Sequence, residues 1–111
     1  MAIFRLTKSF PIDERFSLID QMRRSSRSIC TNIGEAWRKR RYPAHFVSKL
    51  TDADAETSET IIWLDFGLEC GYVDEKTHKQ LTKEYEEIGK MLGSMISSPE
   101  KFCYKEKRPA A

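Results

Sequence analysis

The sequence predicts an all-α protein, an antiparallel up-down four-helix bundle with a shortened first helix. Three observations carry this. Apolar residues recur at three- and four-residue steps over three long stretches, which at about 100° per residue puts them on one helical face. No stretch alternates apolar and polar residues as a half-buried strand does. The stretches are separated by only a few residues that carry proline, glycine or a capping aspartate, and short connections make sequential helices antiparallel neighbours.

The chain has 111 residues, enough for one domain with its own core; 32% are charged and 40% hydrophobic, with 5 Gly and 4 Pro, as in a folded helical protein. No run approaches the roughly 20 apolar residues of a membrane span. The opening MAIFRLTKSF has no secretion-signal pattern. Cys30, Cys70 and Cys103 form no C-x-x-C pair and read as small buried apolar side chains in a reducing compartment, so the expected location is cytoplasmic.

In chain order, residues 2–9 form a short helix with Ile3, Phe4 and Leu6 on one side and Thr7 and Lys8 facing out, ended by Phe10-Pro11 because the residue before a proline is pushed away from helical dihedrals. Asp13 is placed to cap a second helix over 14–39, whose predicted face is Phe16, Ile19, Met22, Ser26, Ile29, Cys30, Ile33 and Trp37. Pro43 suits the first turn of a third helix over 44–70, with Phe46, Val47, Leu50, Ala53, Thr57, Ile61, Leu64 and Leu68 facing inward and Cys70-Gly71 as its stop. Ile62, Trp63 and Phe66 widen its apolar stripe beyond one contact surface. Asp74 caps a fourth helix over 74–97 that ends at Ser97-Ser98-Pro99. Residues 1–98 are the bundle and 99–111 a polar, mobile tail. The short first helix leaves part of the core open for the tail or another subunit to cover.

Charge is unevenly spread. Residues 15–41 hold eight Lys or Arg against two acids, a net +6, while 44–71 hold Lys49 against six acids, a net −5. Opposite fields on successive helices predict contact between them. Asn32, Glu35, Glu56 and Glu59 are expected to meet across that contact, with arginines such as Arg27, and fix helix register. The candidate nucleic-acid contacts are Arg23, Arg24, Arg27, Arg38, Lys39, Arg40 and Arg41, with Trp37 and Tyr42 beside them. Arginines hold phosphates and aromatics stack on unpaired bases, although cations also favour helix C-termini for structural reasons alone.

Catalytic chemistry finds no support. Glu75-Lys76-Thr77-His78 has the Glu-x-x-His spacing of bundle metal sites, but it stands alone and His45 has no matching glutamate, so neither metal nor other cofactor is expected. Ser28 and Cys30 lie in helical pattern without a nearby histidine, which leaves nucleophilic catalysis without a base. The reading is of a protein that is not an enzyme.

The run FRLTKSFPIDERFSLIDQMRRSSRSICTNIGEAWRKR, with HFVSKLTDADAETSET and LECGYVDEKTHKQL after it, resembles the four-helix bundle proteins encoded by intervening sequences in bacterial 23S ribosomal RNA genes. Its most specific pieces are F-P-x-x-E-x-F-x-L-x-x-Q-x-R-R at Phe10 to Arg24, S-I-x-x-N-I at Ser28 to Ile33, and the acidic third helix with Glu59. The resemblance implies a homo-oligomeric ring of five bundles, no enzymatic activity and a role in RNA binding. A related branch, the accessory proteins of diversity-generating retroelements, implies in addition a reverse-transcriptase-like partner. Two features depart from the family. Its first helix begins earlier, and its Asn-Ile-Ala-Glu-Gly stands here as Asn32-Ile33-Gly34-Glu35-Ala36, where a glycine inside a helix costs about 1 kcal/mol relative to alanine. The other reading of the chain is a protein-interaction scaffold whose wide apolar faces, Trp63, Phe66 and Leu68, serve subunit contacts.

Overall fold

A computed structural model describes residues 1–105. Four α-helices follow one another: α1 (Ala2–Thr7), α2 (Leu18–Arg38), α3 (Pro43–Glu69) and α4 (Glu75–Ser97), with single 3-10 turns at Ile12–Glu14 and Pro99–Lys101. Cross-helix pairs fix their directions. Ser25 meets Thr60 and Glu35 meets Lys49, so α2 and α3 run antiparallel. Asp65 meets His78 while Asp54 lies beside Gly89, so α4 turns back along α3. Thr7, expected to face out, is buried, donating to Ile3 O and accepting from Arg23, and this lays α1 against the first turns of α2. No described helix is long and apolar enough to cross a membrane.

The connections obey the local chemistry. Pro43 occupies the first turn of α3. At its other end Gly71, at φ 75°, takes the left-handed position, its N–H bonds Leu68 O, and the Tyr72 N–H reaches back to Gly67 O, the paired bonds of a Schellman motif. Asp74 accepts the Thr77 N–H at 2.7 Å and so caps α4, and that bond holds the Asp74 carboxyl below its ordinary range.

Helix α2 begins at Leu18, not Glu14. The chain first makes the 3-10 turn Ile12–Glu14, and Asp13 supplies no capping bond, because Ser17 at φ −125°, ψ −101° interrupts the helical run. Phe16 is consequently outside the helix and 83% exposed instead of facing the core.

The buried seam also differs from the apolar pattern. In α3 the buried residues are Phe46, Leu50, Ala53, Thr57, Thr60, Leu64 and Gly67, alternating four- and three-residue steps without a break. That is a repeat of 3.5, the spacing that keeps one seam facing a partner helix when two helices wind about each other. Buried Leu18, Met22, Ser25, Ile29 and Ala36 of α2 follow the same repeat, which leaves Cys30, expected on the inner face, exposed; Cys70, at the end of α3, is exposed too. Thr60 and Gly67 thus take positions that an apolar search assigns to Ile61 and Leu68. Thr60 Oγ1 donates to Ser25 Oγ at 2.9 Å, and Ser25 donates in turn to the Met22 carbonyl, so both hydroxyls are satisfied at the middle of the seam.

Two apolar clusters flank this polar waist. One gathers Ile3, Phe10, Leu18, Ile19, Met22, Leu64, Val73 and Leu81, and so ties α1 and the α3–α4 turn to the body. The other gathers Ala36, Phe46, Leu50, Ala53 and Leu92. The tail belongs partly to it: Phe102 stacks on Phe46 with ring centroids 6.2 Å apart, and Cys103 packs beside it. The first part of the tail, through Tyr104, is therefore docked structure at the α2–α3 end of the bundle. Residues 106–111 of the expected polar tail lie outside the described residues.

Candidate nucleic-acid interface

The seven basic residues singled out in the sequence separate into two groups, about 21 Å apart along α2 at 1.5 Å per residue. At the first group, Arg23 Nε donates to Thr7 Oγ1 at 2.8 Å, and the guanidinium groups of Arg23 and Arg27 lie 4.5 and 5.8 Å from the Phe4 ring centroid. These cations fasten α1 to α2. Arg24 crosses to α3, where it pairs with Glu56 at 3.3 Å and with Glu59.

Glu59 is also held by Trp63, whose Nε1–H donates to it at 3.2 Å. Partial burial pushes the Glu59 carboxyl up, but the bonds from Trp63 and Arg24 outweigh that and hold it below its ordinary range. The Arg24 guanidinium is raised, chiefly by its bond to Glu59. The predicted α2–α3 charge contact is thus present, with Arg24 in the role expected of Arg27. Glu35 joins it by accepting from Lys49 Nζ at 2.8 Å. Asn32 does not cross the interface; its Nδ2 donates to Ser28 O within α2.

The second group is arranged otherwise. Arg38, Lys39 and Arg41 enter no ion pair among the described residues. A shallow hollow of about 190 Å³ beside them is lined by Lys39, His45, Ser48 and Lys49, three nitrogen-bearing side chains and a hydroxyl. Arg40 is held between two rings. Its guanidinium lies 3.7 Å from the Trp37 centroid and 4.8 Å from that of Tyr104, its Nε donates to Trp37 O at 2.8 Å, and a terminal nitrogen donates to Tyr104 Oη at 3.0 Å. Trp37, expected on the inner face, stands 47% exposed in this stack.

Tyr104 is not reachable from sequence because it lies 64 positions from Arg40. The one signal is the aromatic content of Lys101-Phe102-Cys103-Tyr104-Lys105, which a solvated tail has no use for. His78 bonds Asp65 at 2.7 Å, and no group of three or more metal-ligating side chains occurs among the described residues.

The 23S rRNA-intervening sequence protein family model matches residues 1–94, the whole span from α1 through most of α4. The chain belongs to that family. A crystal structure of a protein of unknown function from the S23 ribosomal protein family of Bacteroides thetaiotaomicron VPI-5482 superposes with a TM-score of 0.75 at 28% identity, covering 86% of this chain and 85% of that one. Comparison with curated proteins gives no match. The family match stops short of Phe102 and Tyr104, so the Arg40 stack is built jointly from the end of α2 with the turn after it and a segment beyond the matched span.

Proposed function

We propose that this member of the intervening sequence family is a non-enzymatic, oligomeric RNA-binding protein whose contact surface is the α2–α3 end, led by Arg38, Lys39 and Arg41. The observation that carries the reading is the division of the cations: those at the α1 end are engaged with Phe4, Thr7, Glu56 and Glu59, while Arg38, Lys39 and Arg41 gather without entering an ion pair among the described residues. Such a cluster suits phosphates, and repetition of it in an oligomer would multiply the contacts in one binding event.

Binding of a structured RNA fragment across a salt series tests this. The logarithmic slope of affinity against salt should become shallower in a variant with Arg38, Lys39 and Arg41 all changed to alanine, by about 0.9 for each phosphate that is no longer neutralised. An equal slope in the two proteins would remove these residues from the interface.

A second reading rests on α3. Ile62 and Phe66 are half exposed, and Phe66 with Trp63 borders an open, largely apolar cleft of about 340 Å³ against Leu18 and Gln21 of α2. A second copy of the chain is the simplest cover for such a surface. Phe66→Lys should shift the native mass of the protein toward monomer; a protein already monomeric at micromolar concentration would sink the self-association reading.

A further inference from the structure

Tyr104 borders two features at once. Its ring takes the Arg40 guanidinium, and it also lines an open cleft of about 560 Å³ with Pro43, Glu100, Lys101, Cys103 and Lys105. That volume lies within the roughly 300–1,000 Å³ range of small-ligand sites. The walls combine a proline ring and a phenol with two lysines against a single acid, an apolar slot with a net positive rim. The segment is firmly seated: Phe102 stacks on buried Phe46, the Cys103 N–H bonds Pro99 O, and the Tyr104 N–H bonds Arg40 O at 3.2 Å.

We infer that this cleft receives an unpaired RNA base, stacked on Tyr104, while Lys101 and Lys105 meet the adjoining phosphates. The inference rests on the phosphate-binding reading and adds selectivity for single strands to it. An aromatic face at a basic cleft is the arrangement on which unpaired bases stack, whereas bases within a duplex have their faces covered by their neighbours. Arg40, bonded to Tyr104 Oη and to Trp37 O, holds the ring in place and keeps a cation beside it, so no rearrangement is needed before a base enters. An acidic peptide would find the same charge but would make no use of the phenol's open face, which leaves Tyr104 59% exposed.

The decisive experiment compares a short unstructured RNA with the same sequence annealed to its complement, each titrated against the full chain and against Tyr104→Ala and Tyr104→Phe. Tyr104→Ala should weaken single-strand binding about five- to hundredfold while leaving duplex binding and both salt slopes as they were. Tyr104→Phe should keep most of the single-strand affinity, since it retains the ring and loses only the bond from Arg40. Equal losses for single strand and duplex, or no loss for either, overturn the base site. Steep salt-dependent binding that survives Tyr104→Ala leaves the phosphate reading standing without it. Failure of the intact protein to bind either RNA at low salt overturns both.

Discussion

Phe46→Ala is expected to lower the free energy of unfolding by about 3–5 kcal/mol, a large part of the roughly 5–15 kcal/mol that holds a domain of this size together. Phe46 is fully buried and central to the cluster that joins α2, α3 and α4 through Ala36, Leu50, Ala53 and Leu92. Alanines at 36 and 53 have no longer side chain to swing into the space, so the cavity would stay open and the cost would sit at the upper end of the range. The same ring carries Phe102, so its loss also removes the support of the docked tail. Urea unfolding with an unchanged denaturant slope is the check. A midpoint shift worth less than about 1 kcal/mol would mean that this cluster contributes little, and would count against the tail being anchored there.

The link from Phe46 to Tyr104 shows where inference from sequence stops. Pro43, Gly71 and Asp74 act through the backbone of their immediate neighbours, so the helix ends they set are legible residue by residue. The seam is less legible. Thr60 and Gly67 are not apolar, and only a 3.5 repeat followed through Phe46, Leu50, Ala53 and Leu64 points to them in place of Ile61 and Leu68. The site is least legible of all. A count of charges gives Arg24 and Arg41 equal weight, yet Arg24 meets two carboxylates more than thirty positions away, while Arg41 meets none among the described residues. The tail reads as polar and mobile until the fold carries Phe102 to Phe46. Local chemistry is written locally; charge compensation and docking are properties of the closed structure.

Two glycines make that distinction measurable, because the same kind of change should have opposite signs at each. Gly34 lies inside α2, and a methyl group at its Cβ position would have nothing within 4 Å, so Gly34→Ala should stabilise the protein by up to about 1 kcal/mol through helix propensity alone. At Gly67 a Cβ would stand 2.9 Å from Val73 Cγ2 and 3.5 Å from Phe10 Cζ. Valine is stiff at χ1 and Val73 is itself buried, so neither it nor the Phe10 ring, packed 5.3 Å from Tyr72, has room to withdraw. Gly67→Leu adds three more carbons in the same direction, and overpacking of about 3 kcal/mol should exceed the gain in helix propensity. The strain would fall on the junction between the α1–α2 connection and the α3–α4 turn, where Phe10 and Val73 close the bundle end. Thermal unfolding of the two variants beside the parent should give one midpoint above it and one well below. If Gly67→Leu raised the midpoint, the close approach at this turn would not exist in solution, and the placement of Phe10 against α3 would have to be abandoned.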